Sequence, residues 1–131
     1  MKKTNLLNSE ISFAIAKMGH TDQLTICDCG LPIAESNHRI DLAVTEGIPP
    51  FLDVLDTVLT ELEVQKIYLA REIEKESPDL MKAVIKRFPE TPVVFIDHED
   101  LKDRVNFSKA VIRTGECTSY ANIILESGVV F

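Results

Sequence analysis

Three short polar segments of this sequence carry side chains that could move protons or hold hydroxyl groups, and each segment borders an apolar run. They are residues 19–22, 28–32 and 113–122. Their side chains include the imidazole of His20, the carboxylate of Asp28, the phenol of Tyr120 and the amide of Asn122. Gathered in one pocket, these groups would suit acid/base chemistry on a polar small molecule.

His20 is the strongest single candidate for proton transfer. An imidazole titrates near neutral pH, so it can both donate and accept a proton. A first helix is predicted between its N-cap Ser9 and the terminating Gly19, because one apolar stripe has helical spacing there: Ile11, Ala14, Ile15 and Met18. A cation just past a helix C-terminus also favours the helix dipole, so position alone leaves a catalytic role and a capping role equally open.

Asp28 and His98 each follow an apolar strand, and each has a structural alternative. Asp28 could orient an imidazole or bind a sugar hydroxyl, but it could also form an Asx-turn ahead of Gly30. His98 could bring a second imidazole to a strand end. It could equally belong to the N-cap region of a helix, where its acidic neighbours in residues 97–100 are favourable.

Tyr120 and Asn122 flank Ala121 in the last polar segment. In an extended chain, residues two apart face the same side, so a phenol and an amide would lie side by side and suit a polyhydroxy ligand. The alternative is a loop residue next to a turn former. Arg113 is expected to have a structural role, in a pair with Glu116 or with a neighbouring subunit.

The cysteines and glycines give no sign of a bound cofactor. Cys27, Cys29 and Cys117 are odd in number, so no disulfide framework is expected. Their spacing matches no usual metal motif, and small buried apolar residues are the preferred interpretation. The glycines form neither a dinucleotide-binding nor a phosphate-binding loop, so a nucleotide cofactor is not expected.

The apolar pattern predicts the elements that must position these residues. Strands are predicted at residues 24–27, 40–44, 66–70, 92–96, 110–112 and 123–125. Besides the first helix, others are predicted after residues 47–50, after Ser77 with Pro78 at its first position, and over residues 101–105. This alternation predicts an α/β fold, a single domain over residues 1–131 with a largely parallel sheet flanked by helices. In such sheets ligands collect beyond the carboxyl ends of strands, where Asp28 and His98 fall.

Composition excludes several classes of function. The 131 residues carry a formal net charge of −7, and phosphate backbones attract basic surfaces, so nucleic-acid binding is not expected. No apolar run has the length of a membrane span, and the first residues lack the apolar stretch of a signal peptide. A cytoplasmic location is therefore the expectation.

Taken together, these motifs resemble the D-ribose pyranase branch of the bacterial ribose/fucose mutarotase family. The resemblance runs from Lys3 to Phe131 at similar spacing throughout. It is carried by Asn8-Ser9, Gly19-His20-Thr21-Asp22, Asp28-x-Gly30-Leu31-Pro32, Val111-Ile112-Arg113-Thr114-Gly115-Glu116 and Tyr120-Ala121-Asn122. One departure is visible: the family implies small residues such as Ala around Asp28, where this chain has Cys27 and Cys29, and an effect on packing only is expected.

The resemblance implies an activity and a set of site residues. Family members interconvert the pyranose and furanose rings of a free sugar without a metal or organic cofactor. For this branch the sugar is β-D-ribose, and the furanose form feeds ribokinase. His20 would be the proton donor, and the substrate contacts would be Asp28, His98, Lys102, Tyr120, Asn122 and the backbone of Ala121. The family also implies a homodecamer of two pentameric rings with sites near subunit boundaries.

Three other functions remain open at the level of the sequence. The chain could be a non-catalytic ribose-binding or regulatory subunit of an uptake system. It could be a metal-dependent isomerase or lyase built on His20, Asp28 and His98. Fucose mutarotase activity is the third alternative, as a neighbouring specificity.

Overall fold

The computed structural model describes residues 1–131 and contains six strands and five helices. The strands are β1 (Gln23–Cys27), β2 (Arg39–Asp41), β3 (Val64–Ala70), β4 (Val93–Ile96), β5 (Ala110–Arg113) and β6 (Ile123–Ser127). The helices are α1 (Ser9–Ala16), α2 (Phe51–Leu59), α3 (Ile73–Glu76), α4 (Pro78–Lys86) and α5 (His98–Val105). None of these helices has the length and apolar character that crossing a membrane would require.

All six strands form one sheet with the order β2-β5-β1-β6-β3-β4. Strands β1, β2, β3, β4 and β5 run in the same direction, and β6 is antiparallel to both of its neighbours, β1 and β3. The predicted α/β fold with a largely parallel sheet is therefore confirmed. Because β6 is reversed, its amino end lies at the same edge of the sheet as the carboxyl ends of the other five strands.

The sheet is buried on both faces because alternate strand residues enter two apolar layers. Leu24 and Ile26 of β1 belong to the larger layer, which packs against α1, α2, α3 and α4. Cys27 belongs to the smaller layer, which packs against Leu101 and Val105 of α5. Burying a large aliphatic side chain contributes about 1.5–3 kcal/mol, so these layers fix the strand ends that carry the polar residues.

The ends of α1 differ from the prediction. Its N-cap is Asn8 and not Ser9, because the Asn8 side chain accepts a hydrogen bond of 2.9 Å from the backbone N–H of Ile11. The helix ends at Ala16, before the expected Gly19. The Gly19 backbone N–H instead donates to the carboxylate of Asp22 at 2.9 Å, so this glycine belongs to the following turn.

Three further elements differ from the sequence pattern. Strand β2 ends at Asp41 instead of continuing to residue 44, because the Asp41 carboxylate accepts from the backbone N–H of Ala43 and turns the chain. The short helix α3 was not predicted. Helix α5 begins at His98, three residues before the predicted start, so the N-cap alternative for the region around His98 is confirmed.

Gly115 fixes the loop that leads from β5 to the last polar segment. A β-carbon at this position would lie 2.3 Å from the backbone oxygen of Ile48, which is far too close for any side chain. The close approach of the two backbone segments allows a hydrogen bond, in which the Gly115 backbone N–H donates to the carbonyl of Pro49 at 2.9 Å. The sequence therefore requires glycine here for steric reasons.

Candidate active site

A polar cleft of about 320 Å³ opens at the edge where β1 and β4 end and β6 begins. It is lined by Asp28, Gly30, Leu31, Pro32, His98, Lys102, Ser119, Tyr120 and Asn122. Five of the seven predicted site residues thus meet in one place. Ala121 lies between two of them with its side chain fully buried, and His20 lies elsewhere.

Asp28 and Asn122 form the base of the cleft. The Asn122 side-chain amide donates to Asp28 Oδ2 at 3.0 Å, and Asn122 Oδ1 accepts from the Asp28 backbone N–H at 3.0 Å. Asp28 Oδ1 also accepts from the backbone N–H of Gly30 at 2.9 Å. The Asx-turn alternative is therefore correct, and the same turn aims the carboxylate into the cleft, where its remaining lone pairs can accept from a hydroxyl.

Tyr120 reaches the cleft through a turn and not through an extended chain. Its φ of 62° lies in the left-handed region, and its carbonyl accepts from the Asn122 backbone N–H at 2.8 Å. The extended conformation assumed for residues 120–122 is therefore wrong, although both side chains do line one cleft. The Ser77 hydroxyl supports this turn by donating to the Ser119 carbonyl at 2.7 Å, instead of capping α4 with a side-chain hydrogen bond.

His98 stands against Tyr120 at the start of α5. The two rings meet edge to face, with 5.0 Å between centroids and an interplanar angle of 88°. Glu72 fixes the helix end, because its carboxylate accepts from the His98 backbone N–H at 3.1 Å. The His98 Nδ1 atom is buried and has no partner in the chain. Buried polar atoms are rarely left unpaired, so this nitrogen needs a partner that the chain alone does not supply.

Lys102 lies one turn after His98 on the same face of α5 and also lines the cleft. Its ammonium pairs with the carboxylate of Glu99, three residues earlier, at 2.6 Å. The Lys102 side chain is only 28% exposed, whereas that of Glu99 is 81% exposed. The ammonium can therefore donate to a ligand while its charge is balanced from the solvent side.

Arg113 holds the loop that carries Asp28. Its Nε donates to the Cys29 carbonyl at 3.0 Å, and its terminal nitrogen contacts both carboxylate oxygens of Asp41 at 3.1 and 3.2 Å. The predicted pair with Glu116 is wrong within the chain. Glu116 instead accepts from the backbone N–H of Phe51, at the start of α2.

His20 lies at the opposite edge of the sheet from the cleft. It precedes β1 whereas Asp28 follows it, and a strand of five residues spans about 17 Å. The His20 side chain is exposed, and its Nε2 lies 2.9 Å from Oε1 of Gln65 on β3. A helix-capping role is wrong, because α1 ends four residues earlier at Ala16.

Beside His20, Glu126 of β6 is the centre of a buried polar network that the sequence reasoning missed. Burial alone would raise the pKa of the Glu126 carboxyl. Hydrogen bonds from Gln65, Tyr68 and Gln23 outweigh burial and lower its pKa to about 2. Because this pKa lies below the usual 4.5, the ionised carboxylate stabilises the fold above pH 4.5, and the contribution declines as pH falls toward 2. An acidic residue inside an apolar strand was the available signal.

The three cysteines differ in their surroundings. Cys27 is fully buried, and burial raises the pKa of its thiol to about 12, so the expected packing role holds for this residue. Cys29 and Cys117 are not buried, and their sulfur atoms lie 3.3 Å apart beside the Asp28 loop. The expectation of buried cysteines is therefore wrong for these two. No group of three or more His, Cys, Asp or Glu side chains is arranged to hold a metal ion.

Comparisons with known proteins agree with this fold. Residues 1–130 match the RbsD / FucU transport protein family. A relative from Enterococcus faecalis, named D-ribose pyranase, is 56% identical over 131 residues, which is 100% of both chains. The solved structure of Bacillus subtilis RbsD complexed with D-ribose is 40% identical, with a TM-score of 0.97 and 100% of both chains covered. The fucose mutarotase from Streptococcus pneumoniae, solved with L-fucose, gives a TM-score of 0.81 over 100% of both chains at 22% identity.

Proposed function

The chain belongs to the RbsD / FucU transport protein family, and we propose that it is a D-ribose pyranase, which interconverts β-D-ribopyranose and β-D-ribofuranose. The observation that carries the proposal is the full-length similarity to relatives named D-ribose pyranase. The solved relative that holds D-ribose has nearly the same fold. The fucose mutarotase is far less similar in sequence and supports only the fold. Ribose is therefore favoured over fucose, and the furanose product would feed ribokinase.

The cleft residues have the chemistry that a free pentose requires. Asp28 presents a carboxylate, His98 an imidazole ring and Lys102 an ammonium. Together with Asn122 they offer both donors and acceptors to sugar hydroxyls. Tyr120 adds a phenol and an apolar ring face. We assign these five side chains, with the backbone of Ala121 between the last two, as the substrate contacts.

The reaction needs only proton transfer. The anomeric hydroxyl loses a proton while the ring oxygen gains one, which opens the ring to the aldehyde. A different hydroxyl then attacks the carbonyl, and the proton transfers occur in reverse. A group that is protonated in part of the molecules near neutral pH suits both directions, and this favours His20 as the acid/base residue. These steps use neither a nucleophilic side chain of the protein nor an organic cofactor.

Because His20 lies at the far edge of the sheet from the cleft, we propose that it acts in the cleft of a neighbouring subunit. The His20 edge also presents apolar side chains to solvent. Phe107 is 79% exposed and lines the same shallow depression as Thr21, and the tail residues Val130 and Phe131 are 86% and 101% exposed. Contacts between copies would cover such side chains. A homodecamer of two pentameric rings is the proposed assembly.

The proposed location is the cytoplasm. The proposed reaction belongs where a sugar kinase consumes the furanose product.

The proposal is tested by magnetisation-exchange NMR on D-ribose with catalytic amounts of the purified protein. Exchange between the pyranose and furanose anomeric signals is expected to be faster than in buffer. Ribose binding without acceleration would instead identify a non-catalytic binding subunit. Acceleration with L-fucose but not with ribose would identify the neighbouring specificity, and loss of activity on adding a chelator would identify a metal-dependent enzyme.

Replacing Asp28 with asparagine is expected to weaken ribose binding about 10-fold to 100-fold, and to slow ring opening at saturating ribose much less. The reason is that a charge-assisted hydrogen bond contributes about 1.5–3 kcal/mol, and this carboxylate is assigned to binding. Calorimetric titration with ribose measures the affinity. The control is Asp53→Asn on the exposed surface of α2, which should bind ribose normally. Unchanged affinity in Asp28→Asn would refute the assignment.

A further inference from the structure

A continuous hydrogen-bonded chain joins His20 to the buried carboxylate of Glu126. His20 Nε2 lies 2.9 Å from Gln65 Oε1, and Gln65 Nε2 donates to Glu126 Oε1 at 3.0 Å. The Glu126 side chain is only 8% exposed, whereas His20 is exposed. Gln65 is therefore the single residue through which the buried network contacts the imidazole.

The carboxylate determines which way the Gln65 amide points. Glu126 receives hydrogen bonds from Tyr68 and Gln23 as well as from Gln65, and Lys66 lies 3.3 Å away. An ionised carboxylate accepts hydrogen bonds and donates none. The Gln65 NH₂ group must therefore face Glu126, which leaves its carbonyl oxygen facing the imidazole. A carbonyl oxygen only accepts, so His20 Nε2 must carry a hydrogen.

We propose that Gln65 and Glu126 are positioning residues that hold His20 in the Nε2–H tautomer and leave Nδ1 as the atom that exchanges protons with the sugar. This inference rests on the proposed acid/base role of His20 and specifies the atom that performs it. In the opening step, neutral Nδ1 takes the proton of the anomeric hydroxyl, and the imidazolium passes that proton to the ring oxygen as the ring C–O bond breaks. In the closing step the transfers are reversed, so His20 ends the cycle in its starting state.

The network is rigid enough to impose this orientation on an exposed side chain. Tyr68 is fixed from both sides, because its hydroxyl donates to Glu126 at 2.9 Å and accepts from Arg104 at 2.8 Å. The Arg104 guanidinium also lies over the Tyr68 ring, 3.9 Å from its centroid. Glu126 of β6 pairs with Lys66 of β3, and Gln65 lies at the irregularity between the paired residues Val64 and Lys66. The imidazole is thus oriented by strand residues and not by its own loop.

The direct test is imidazole nitrogen NMR of the intact protein labelled with ¹⁵N-histidine, at a pH where His20 is neutral. The chain has three histidines, so the His20 signals are identified by their loss in His20→Ala. In the wild type, Nε2 is expected to be the protonated nitrogen and Nδ1 the unprotonated one. In Glu126→Gln the new amide can donate to Gln65 and allow it to flip, so a population with hydrogen on Nδ1 is expected.

Gln65→Met is the second variant, and it removes the contact to His20 while keeping the side-chain length. The loss of one hydrogen bond is expected to lower kcat about 10-fold with little change in KM, because the cleft residues are untouched. The matched control is Gln23→Met. It also deletes a glutamine hydrogen bond to Glu126 but leaves Gln65 in place, so the His20 tautomer and kcat should match the wild type.

The outcomes separate this inference from the proposed function. Hydrogen on Nδ1 in the wild type would overturn the inference, whatever the activity. An unchanged tautomer in Glu126→Gln together with an unchanged kcat in Gln65→Met would also overturn it. If instead His20→Ala kept full activity while the tautomer changed as expected, the proposed catalytic role would be wrong and the positioning network would stand.

Discussion

Replacing His20 with alanine is expected to lower the protein-catalysed exchange of ribose ring forms by about 10²–10⁴-fold, the usual contribution of a positioned acid/base group. The fold should be unaffected, because the His20 side chain is exposed and has a single hydrogen-bond partner, Gln65. Magnetisation-exchange NMR gives the rate, and thermal unfolding gives the stability.

The matched control for this prediction is His38→Ala. His38 is likewise exposed, its side chain pairs with the carboxylate of Glu10 at 3.9 Å, and it does not line the cleft. Its variant should exchange ribose at the wild-type rate. If His20→Ala retained that rate as well, another group would have to carry the proton, and His98 with its unpartnered Nδ1 would be the first to examine.

Co-assembly of a His20→Ala variant with an Asp28→Ala variant is expected to restore activity at ribose concentrations too low to saturate the weakened Asp28→Ala cleft. His20→Ala subunits keep an intact cleft, and Asp28→Ala subunits keep an intact imidazole. If each site combines the cleft of one subunit with His20 of another, random mixing leaves about one quarter of the sites with both groups. If His20 and Asp28 acted within one chain, no mixed site would be complete. The two groups lie at opposite edges of the sheet, which favours the first result.

The measurement uses the two variants co-expressed with different affinity tags, so that subunits mix before they assemble. Activity of the doubly purified protein at low ribose is compared with each variant alone and with the two variants combined after purification, which should show no more activity than the separate variants. Sedimentation of the wild-type protein provides the independent check. A monomer in solution, or no recovery in the co-assembled protein, would contradict the shared site.

Much of the framework could be predicted from local patterns. All six strands were found within a few residues, because each is a short apolar run bounded by turn residues. The helix boundaries were less accurate. The N-cap of α1 is Asn8 and not the predicted Ser9, and α5 begins at His98 and not at residue 101. A helix start depends on which side chain reaches a free backbone N–H, and the local pattern does not show this.

The candidate site could be predicted in its members but not in its geometry. Residue types and motif spacing identified Asp28 and Asn122, yet their mutual hydrogen bonds join positions 94 residues apart in the chain. Tyr120 was expected beside Asn122 on the assumption of an extended chain, and that assumption was wrong. The left-handed φ of Tyr120 cannot be inferred from the alternation of side chains along a strand. Glu126 was passed over, since its partners come from other strands.

By itself, the sequence determined the six strands, most of the helices and the α/β class, because these follow from local spacing. Residue chemistry proposed Asp28, His98, Tyr120 and Asn122 as candidates, whereas Lys102 and Ala121 came from the family resemblance. Only the tertiary structure decided that β6 runs against its neighbours, which brings Asn122 to Asp28 at one edge and Glu126 toward His20 at the other. Strand order and direction are set by burying both faces of the sheet together, a property of the whole chain that no local pattern contains.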